Sequence, residues 1–246
     1  VVEAATRLSA AFRGARARQS VGFQRQPSED RQMFRSLDVL AEGNSNLMQA
    51  AGHAGMFKRS SETPNTIVKT ATKREQYVYE SVQSTSLMPF LPAYHGANNT
   101  DAMCQLFLED LTAGFERPCV MDIKLGERTF LESEADNPNL RLDLAEKILK
   151  LDPAALRPEE VEKGVTKLRY MQYRDETSTS RDLGWRIEGV RRSDDAYGVQ
   201  ARTISTREEA TAAISWWLNG QRLVHSAVAA RLATLRSTLE GSEWFG

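Results

Sequence analysis

The sequence predicts an α+β protein built as two lobes, and three observations carry that prediction. Strand-like alternation dominates the first part of the ordered region, in "TIVK", "CQLFLEDL" and "PCVMDIKLG". From Asn137 the apolar spacing changes to the helical period. A strand-like run, "DLGWRIEGVRR", then returns before the chain closes in helices. Sheet first, a helical insert, then strand and helices again is the order of a two-lobed α+β protein.

Bulk properties agree. The 246 residues suffice for one large domain or two modest lobes, and the 41% hydrophobic fraction supplies a core. Net charge is −1, so any anion would have to be held by a local cluster of cations and not by a global field. No apolar run approaches the roughly 18 residues of a membrane span, so no integral membrane segment is expected. Cys104 and Cys119 both sit in apolar runs and read as reduced core thiols of a cytoplasmic protein. His53, His95 and His225 lack metal-ligand spacing, and no zinc site is assigned.

Taken in order, residues 1–46 form a basic arm and polar lead-in. Arg7, Arg13, Arg16, Arg18 and Arg25 face a single acid, Glu3, within its first 28 residues. A disordered tail is preferred there to a transit peptide or a calmodulin-type target. In "AGHAGMF", Gly52 and Gly55 bracket a tight turn; "TIVK" is a short strand; "REQYVYESV" is a helix with Tyr77, Val78 and Val82 on its apolar side. "CQLFLEDL" is a strand running into an acidic turn. In "PCVMDIKLG", Cys119, Met121, Ile123 and Leu125 alternate toward a core. Val120, Asp122 and Lys124 take the other face, closed by Gly126; the carboxylate and ammonium lie roughly 7 Å apart by strand geometry.

A helix follows between Pro138 and Pro153, with Leu140, Leu144, Ile148 and Leu151 as its stripe, and a second, shorter one starts at Pro158. "TKLRYMQYR" fits either helix or strand. After "DLGWRIEGVRR", a capping box of Ser205 with Glu208 opens a helix, and a longer one turns Val224, Val228, Leu232, Leu235 and Leu239 inward.

Several of these positions could carry chemistry. Paired glycines let backbone N–H groups approach phosphates, though a hairpin bend needs them equally. Lys69 could meet nucleotide phosphates with Glu75 holding it, or be a surface lysine on an edge strand. "LEDL" is a hinge or merely an acidic turn. Asp122 and Lys124 are either a surface ion pair contributing roughly 0–1 kcal/mol, or a pair serving phosphoryl transfer. Arg141, Lys167, Tyr170 and Arg174 make a basic set; as a helix, 167, 170 and 174 share a face. Guanidinium forks suit phosphates, while the bland alternative is a solvated basic face. No broad basic surface or recognition module supports a nucleic-acid partner.

These pieces resemble one family. "PCVMDIKLG" fits P-x-x-x-D-x-K-x-G, the signature of the inositol polyphosphate kinases. "AGHAGMFK", "LEDL", "LRLDLAEKILKLDP", "TKLRYMQYRDETSTSRDLGWRIEGVRR" and "STLEGSEWF" narrow the resemblance to the inositol 1,4,5-trisphosphate 3-kinase branch, over about residues 48 to 246. The helical insert distinguishes that branch from the multikinases and hexakisphosphate kinases.

The resemblance implies a protein-kinase-like fold with ATP and Mg²⁺ between the lobes. Residues 47–115 would be the N-lobe on the ATP side. Residues 116–246 would be the C-lobe, with an inositol phosphate-binding insert at about 137–168. Met56, Lys69 and Glu75 would serve ATP, Glu109, Asp110 and Leu111 its adenine, and Asp122 the ribose. Lys124 would bridge acceptor and transferring phosphate, and Arg141, Leu144, Lys167, Tyr170 and Arg174 would hold the inositol phosphate. The implied reaction is transfer of the ATP γ-phosphate to the 3-hydroxyl of inositol 1,4,5-trisphosphate, giving the 1,3,4,5-tetrakisphosphate. The alternatives are a multikinase or a catalytically dead binding module.

There are two departures. The family has proline and tryptophan where this chain has Leu168 and Tyr173. Its Ile-Asp-Phe segment, whose aspartate binds Mg²⁺, would fall beyond Gly246, so no metal ligand is expected within this chain and little activity from the piece alone. Calmodulin, a partner of animal members, would need a basic amphipathic helix; the N-terminal arm is a poor candidate, and so are residues 141–151, which Asp143 and Glu146 dilute.

Overall fold

A computed structural model describes residue 50 and residues 56–100, 103–192 and 200–242. The basic arm and the Gly52–Gly55 turn lie outside the described residues. The architecture is two-lobed α+β, and the described residues form two sheets, one of four strands and one of two.

The first sheet is antiparallel, in the order β1-β2-β4-β3: β1 Phe57–Arg59, β2 Thr66–Ala71, β3 Tyr94–Asn99, β4 Cys104–Glu109. Lys69 pairs with Leu106 in the middle of this sheet, so β2 is an interior strand, not the edge considered above. β3 carried no strand signal: "YHGANN" is short of β-branched residues, and Gly96 sits at φ +109° beside a register shift. Helix α1, Lys73–Val82, is capped by Thr72, whose hydroxyl accepts from the Glu75 N–H at 3.3 Å. Its inner face is Tyr79 and Val82; Tyr77 and Val78 are exposed, contrary to the expected apolar side. The reason is phase: Tyr79 meets Ala71, Cys104, Leu106 and Leu108, which turns Tyr77 and Val78 outward.

The second sheet joins β5, Cys119–Leu125, to β6, Trp185–Arg192, antiparallel. Met121, Ile123 and Leu125 pack with Trp185, Ile187 and Val190 onto α7, Arg207–Leu218, the largest core. Cys119, expected in that core, is exposed, because it lies at the strand's open end opposite Arg192. The sequence placed the capping box of α7 one residue early: Thr206 and Glu209 form it, and Ser205 donates to the same carboxylate.

Between the strands lie α2 Glu132–Ala135, α3 Leu142–Leu149, α4 Pro158–Lys163, α5 Lys167–Glu176 and α6 Ser180–Leu183. Leu144, Ala145, Ile148, Val165 and Tyr173 form the core of this insert, with Leu151 against it. Helix α3 begins at Leu142, and Leu140 is 53% exposed, not part of the stripe. A two-residue bridge explains this: the Arg141 N–H donates to the Val165 carbonyl at 2.9 Å and the Val165 N–H donates back at 3.2 Å. Arg141 is thereby held extended, and the helix can start only after it. Gly164, at φ +88°, permits the approach; a Cβ there would lie 2.5 Å from the Arg141 carbonyl carbon.

The last helix, α8 Arg222–Glu240, turns Leu232, Leu235 and Leu239 onto Leu87 and Leu125, whereas Val224, expected inward, is exposed. Arg231 adds a cation–π contact with Phe90. None of the helices among the described residues is long and apolar enough to cross a membrane.

Candidate functional site

Strand alternation divides β5 cleanly. Its apolar face builds the core described above, which leaves Asp122 and Lys124 on the opposite face. Lys124 does not pair with Asp122. Its Nζ lies 3.9 Å from Oε1 of Glu188 on β6, a residue that sequence reasoning passed over. Burial, followed by the charge of Glu188, pushes the Asp122 carboxyl above its usual range, while Lys124 and Arg186 pull it back.

Beneath this face lies a buried polar network. Arg186, 1% exposed, donates to Asp175 and Glu188, to the Ser180 hydroxyl at 3.0 Å and to the Thr129 hydroxyl at 3.1 Å. Thr129 donates its N–H to Asp175 at 3.2 Å and its hydroxyl at 2.6 Å, closing the network. With its donors shared among two carboxylates and two hydroxyls, the buried guanidinium is well compensated.

"TKLRYMQYR" forms helix α5, with Thr166 as its N-cap. Lys167, Tyr170 and Arg174 therefore share one face, and Lys167 Nζ lies 5.7 Å from the Tyr170 ring centroid. Arg174 is only 2% exposed: its Nη1 donates to the Arg202 carbonyl at 2.9 Å, while Nη2 is buried without a hydrogen-bond partner. Such an orphan donor is costly unless something supplies an acceptor.

Arg141 emerges at the start of α3, with Leu144 buried behind it. Its guanidinium grips Asp143 through Nε at 2.9 Å and Nη2 at 2.7 Å, and Lys147 reaches the same carboxylate at 3.3 Å. That grip holds the Asp143 carboxyl below its usual range, Arg141 contributing most. Lys167 senses the neighbourhood: burial pushes its ammonium down, Glu134 pulls it up, and Lys124, Arg141 and Lys147 push it down again. Lys124 of β5, Arg141 just before α3 and Lys147 within it thus all lie within electrostatic range of Lys167 on α5. Lys147 was missed because alone it looks like an i,i+4 partner for Asp143.

In the first lobe, Lys69 is ion-paired with Glu75, as their spacing suggested, and sits 5.3 Å from the Phe57 ring centroid. The Met56 carbonyl accepts from the Thr70 N–H at 3.0 Å, extending the β1–β2 ladder. At the acidic turn, Glu109 accepts from the Ala93 N–H at 3.1 Å, Asp110 is buried and accepts from the Thr112 N–H at 2.9 Å, and Leu111 is exposed. A cavity of about 590 Å³ opens here, lined by Arg59, Asn65, Asp110, Thr112 and Phe115 among others. Of the expected nucleotide contacts only Asp110 lines it; Lys69, Glu75 and Asp122 lie elsewhere.

Chemically, a fixed carboxylate and ammonium on one strand face, flanked by further cations, suits a polyanionic ligand and transfer of a charged group. The donor set does not by itself fit magnesium. Among the described residues no group of three or more His, Cys, Asp or Glu comes together, and Asp122 and Glu188 stand beside Lys124 and Arg186.

Comparison with known proteins follows the same lines. The family described as inositol polyphosphate kinase matches residues 105–245. Inositol-trisphosphate 3-kinase A of Homo sapiens is 38% identical over 203 residues, covering 80% of this chain and 44% of that protein. The inositol-trisphosphate 3-kinase homolog of Caenorhabditis elegans is 34% identical over 218 residues, covering 85% of this chain and 44% of that protein. The chain therefore spans less than half the length of these curated relatives. Among solved structures, the inositol phosphate multikinase Ipk2 from S. cerevisiae, in complex with ADP and Mn²⁺, is 21% identical, covering 62% of this chain and 57% of that chain at a TM-score of 0.36.

Proposed function

Because the chain belongs to the inositol polyphosphate kinase family, we propose that this protein transfers the γ-phosphate of ATP to the 3-hydroxyl of inositol 1,4,5-trisphosphate. The observation that carries this reading is that Lys124, on the face of β5 that also bears Asp122, lies with Arg141 and Lys147 within electrostatic range of Lys167. A trisphosphate of high charge density is the ligand such a cluster suits, and in a chain of net charge −1 a local cluster of cations must do the attracting.

In this reading residues 47–115 hold ATP, taken as its magnesium complex, and residues 116–246 hold the acceptor through the insert at about 137–168. Lys69, fixed by Glu75, contacts the nucleotide phosphates, with Met56 nearby; Glu109, Asp110 and Leu111 border the adenine; Asp122 holds the ribose. Arg141, Lys147, Lys167 and Arg174 neutralise the inositol phosphates, with Tyr170 and Leu144 packing around them. The acceptor oxygen forms its bond to the γ-phosphorus as the bond to the ADP oxygen breaks, and the hydroxyl proton is released. Lys124, between acceptor and donor, supplies positive charge where negative charge is spread over the equatorial oxygens of the transferring phosphoryl group. Unpaired Cys104 and Cys119 suit a reducing compartment, which favours a cytoplasmic setting.

The length of the insert and the 3-kinase relatives favour this acceptor over the broader range of a multikinase. The test is a substrate panel with the full natural protein. Phosphorylation of inositol 1,4,5-trisphosphate at the 3-position, with the tetrakisphosphate product left untouched, is expected. Turnover of that product would point to a multikinase. Tight inositol phosphate binding without turnover, and without loss in Lys124→Ala, would leave only a binding module.

A further inference from the structure

The side chain that sets Lys124 in place comes from the neighbouring strand. Lys124 is 46% exposed and hangs from four rotatable bonds, so nothing on β5 itself fixes its ammonium. Glu188 Oε1 lies 3.9 Å from it and also accepts from Arg186 Nε. Arg186 is locked by Asp175, Ser180 and Thr129, from α5, α6 and the segment after β5. A single carboxylate oxygen thus ties an exposed lysine to a rigid buried network.

The backbone aims that carboxylate. Asp122 pairs with Gly189 and Ile123 with Ile187, so Glu188 is the extra residue of a bulge. In regular register Glu188 would stand opposite Asp122, carboxylate against carboxylate. The bulge instead puts Gly189, without a side chain, opposite Asp122, and the Glu188 carboxylate lies 3.9 Å from the Lys124 ammonium. The carboxylate stays charged despite burial, since Arg186, Lys124 and Arg174 hold its pKa below the usual value.

We propose that Glu188 is a positioning residue of the phosphotransfer site, holding the Lys124 ammonium over the polar face of β5 at a distance close enough to restrain it and loose enough for a phosphate to draw it away. The inference rests on the kinase reading above. Charge-neutral Glu188→Gln should leave Lys124 mobile and remove the like charge that Asp122 feels alongside Lys124 and Arg186. The Asp122 pKa should then fall, since its anion loses a repelling neighbour.

The experiment is steady-state kinetics of the full natural protein and of Glu188→Gln and Glu188→Asp across pH. Glu188→Gln is expected to lower kcat tenfold or more, leave KM for ATP at neutral pH within twofold, and move the acid limb of kcat/KM for ATP to lower pH. Glu188→Asp, which keeps the charge and shortens the reach, should keep the wild-type acid limb and recover part of kcat. Unchanged kcat in Glu188→Gln overturns the proposal, as does a loss with an unmoved acid limb and no recovery in Glu188→Asp. If Glu188→Gln does not fold, Glu188→Asp decides: a lowered kcat with a wild-type acid limb supports the role, and an unchanged kcat overturns it. A wild-type protein that transfers no phosphate defeats the kinase reading itself, whereas an active wild type with unaffected variants defeats only this inference.

Discussion

Lys167 concentrates the electrostatics of the site. Half-buried, and with Lys124, Arg141 and Lys147 nearby, it holds its proton less tightly than an ordinary lysine. A bound inositol phosphate would reverse that by supplying negative charge. Binding at alkaline pH should therefore take up protons, measurable by calorimetry in buffers of different ionisation enthalpy; no change in heat between buffers would remove Lys167 from the site. Lys147→Ala should weaken inositol trisphosphate binding about tenfold, as loss of one charge-assisted contact of roughly 1.5 kcal/mol implies, while ATP binding stays unchanged. At this scale Asp122 and Lys124 were legible as one motif, and Lys167 and Arg174 as one helix face, whereas the role of Arg141 came from the family resemblance. Glu188, Arg186 and Lys147 were not: two act across a strand pair and one across the fold, and no local spacing records either relation.

Two elements depend on single backbone devices. Gly164 lets the chain pass against Arg141, and Gly164→Ala should cost about 1–3 kcal/mol in chemical denaturation through overpacking and positive φ. Because the Arg141–Val165 bridge is what holds Arg141 extended, the same variant should lose inositol phosphate affinity while leaving ATP binding intact. An alanine variant as stable as wild type would show that the bridge is dispensable. Thr206→Ala should cost about 1 kcal/mol by removing the cap of α7, with no effect on ligand binding. Periodicity revealed these helices well but their first residues poorly. Helix α3 starts after a tertiary bridge, and the box of α7 is shifted by one residue because Thr206 is the N-cap while Ser205, just before it, donates to the same Glu209 carboxylate.

For the whole molecule, the contact of Leu87 with Leu239, Leu125, Leu232 and Leu235 joins the region after α1 to β5 and α8. Leu239→Ala should destabilise the protein by about 2–5 kcal/mol, read as a lower midpoint in urea. Alternation in "PCVMDIKLG", helical spacing in the insert and the order of the elements suffice to determine the α+β class and the two sheets' main strands, while the family was legible from the resemblance of its motifs. These are local properties, set by which side chains share a face of one element. Tertiary structure alone decided the rest: the partner of Lys124, the phase of α1, the exposure of Cys119 and Val224, and the placing of Lys124, Arg141 and Lys147 within electrostatic range of Lys167. Each of these depends on distances between segments far apart in the chain, where burial and charge act through space and leave no periodic trace in the sequence.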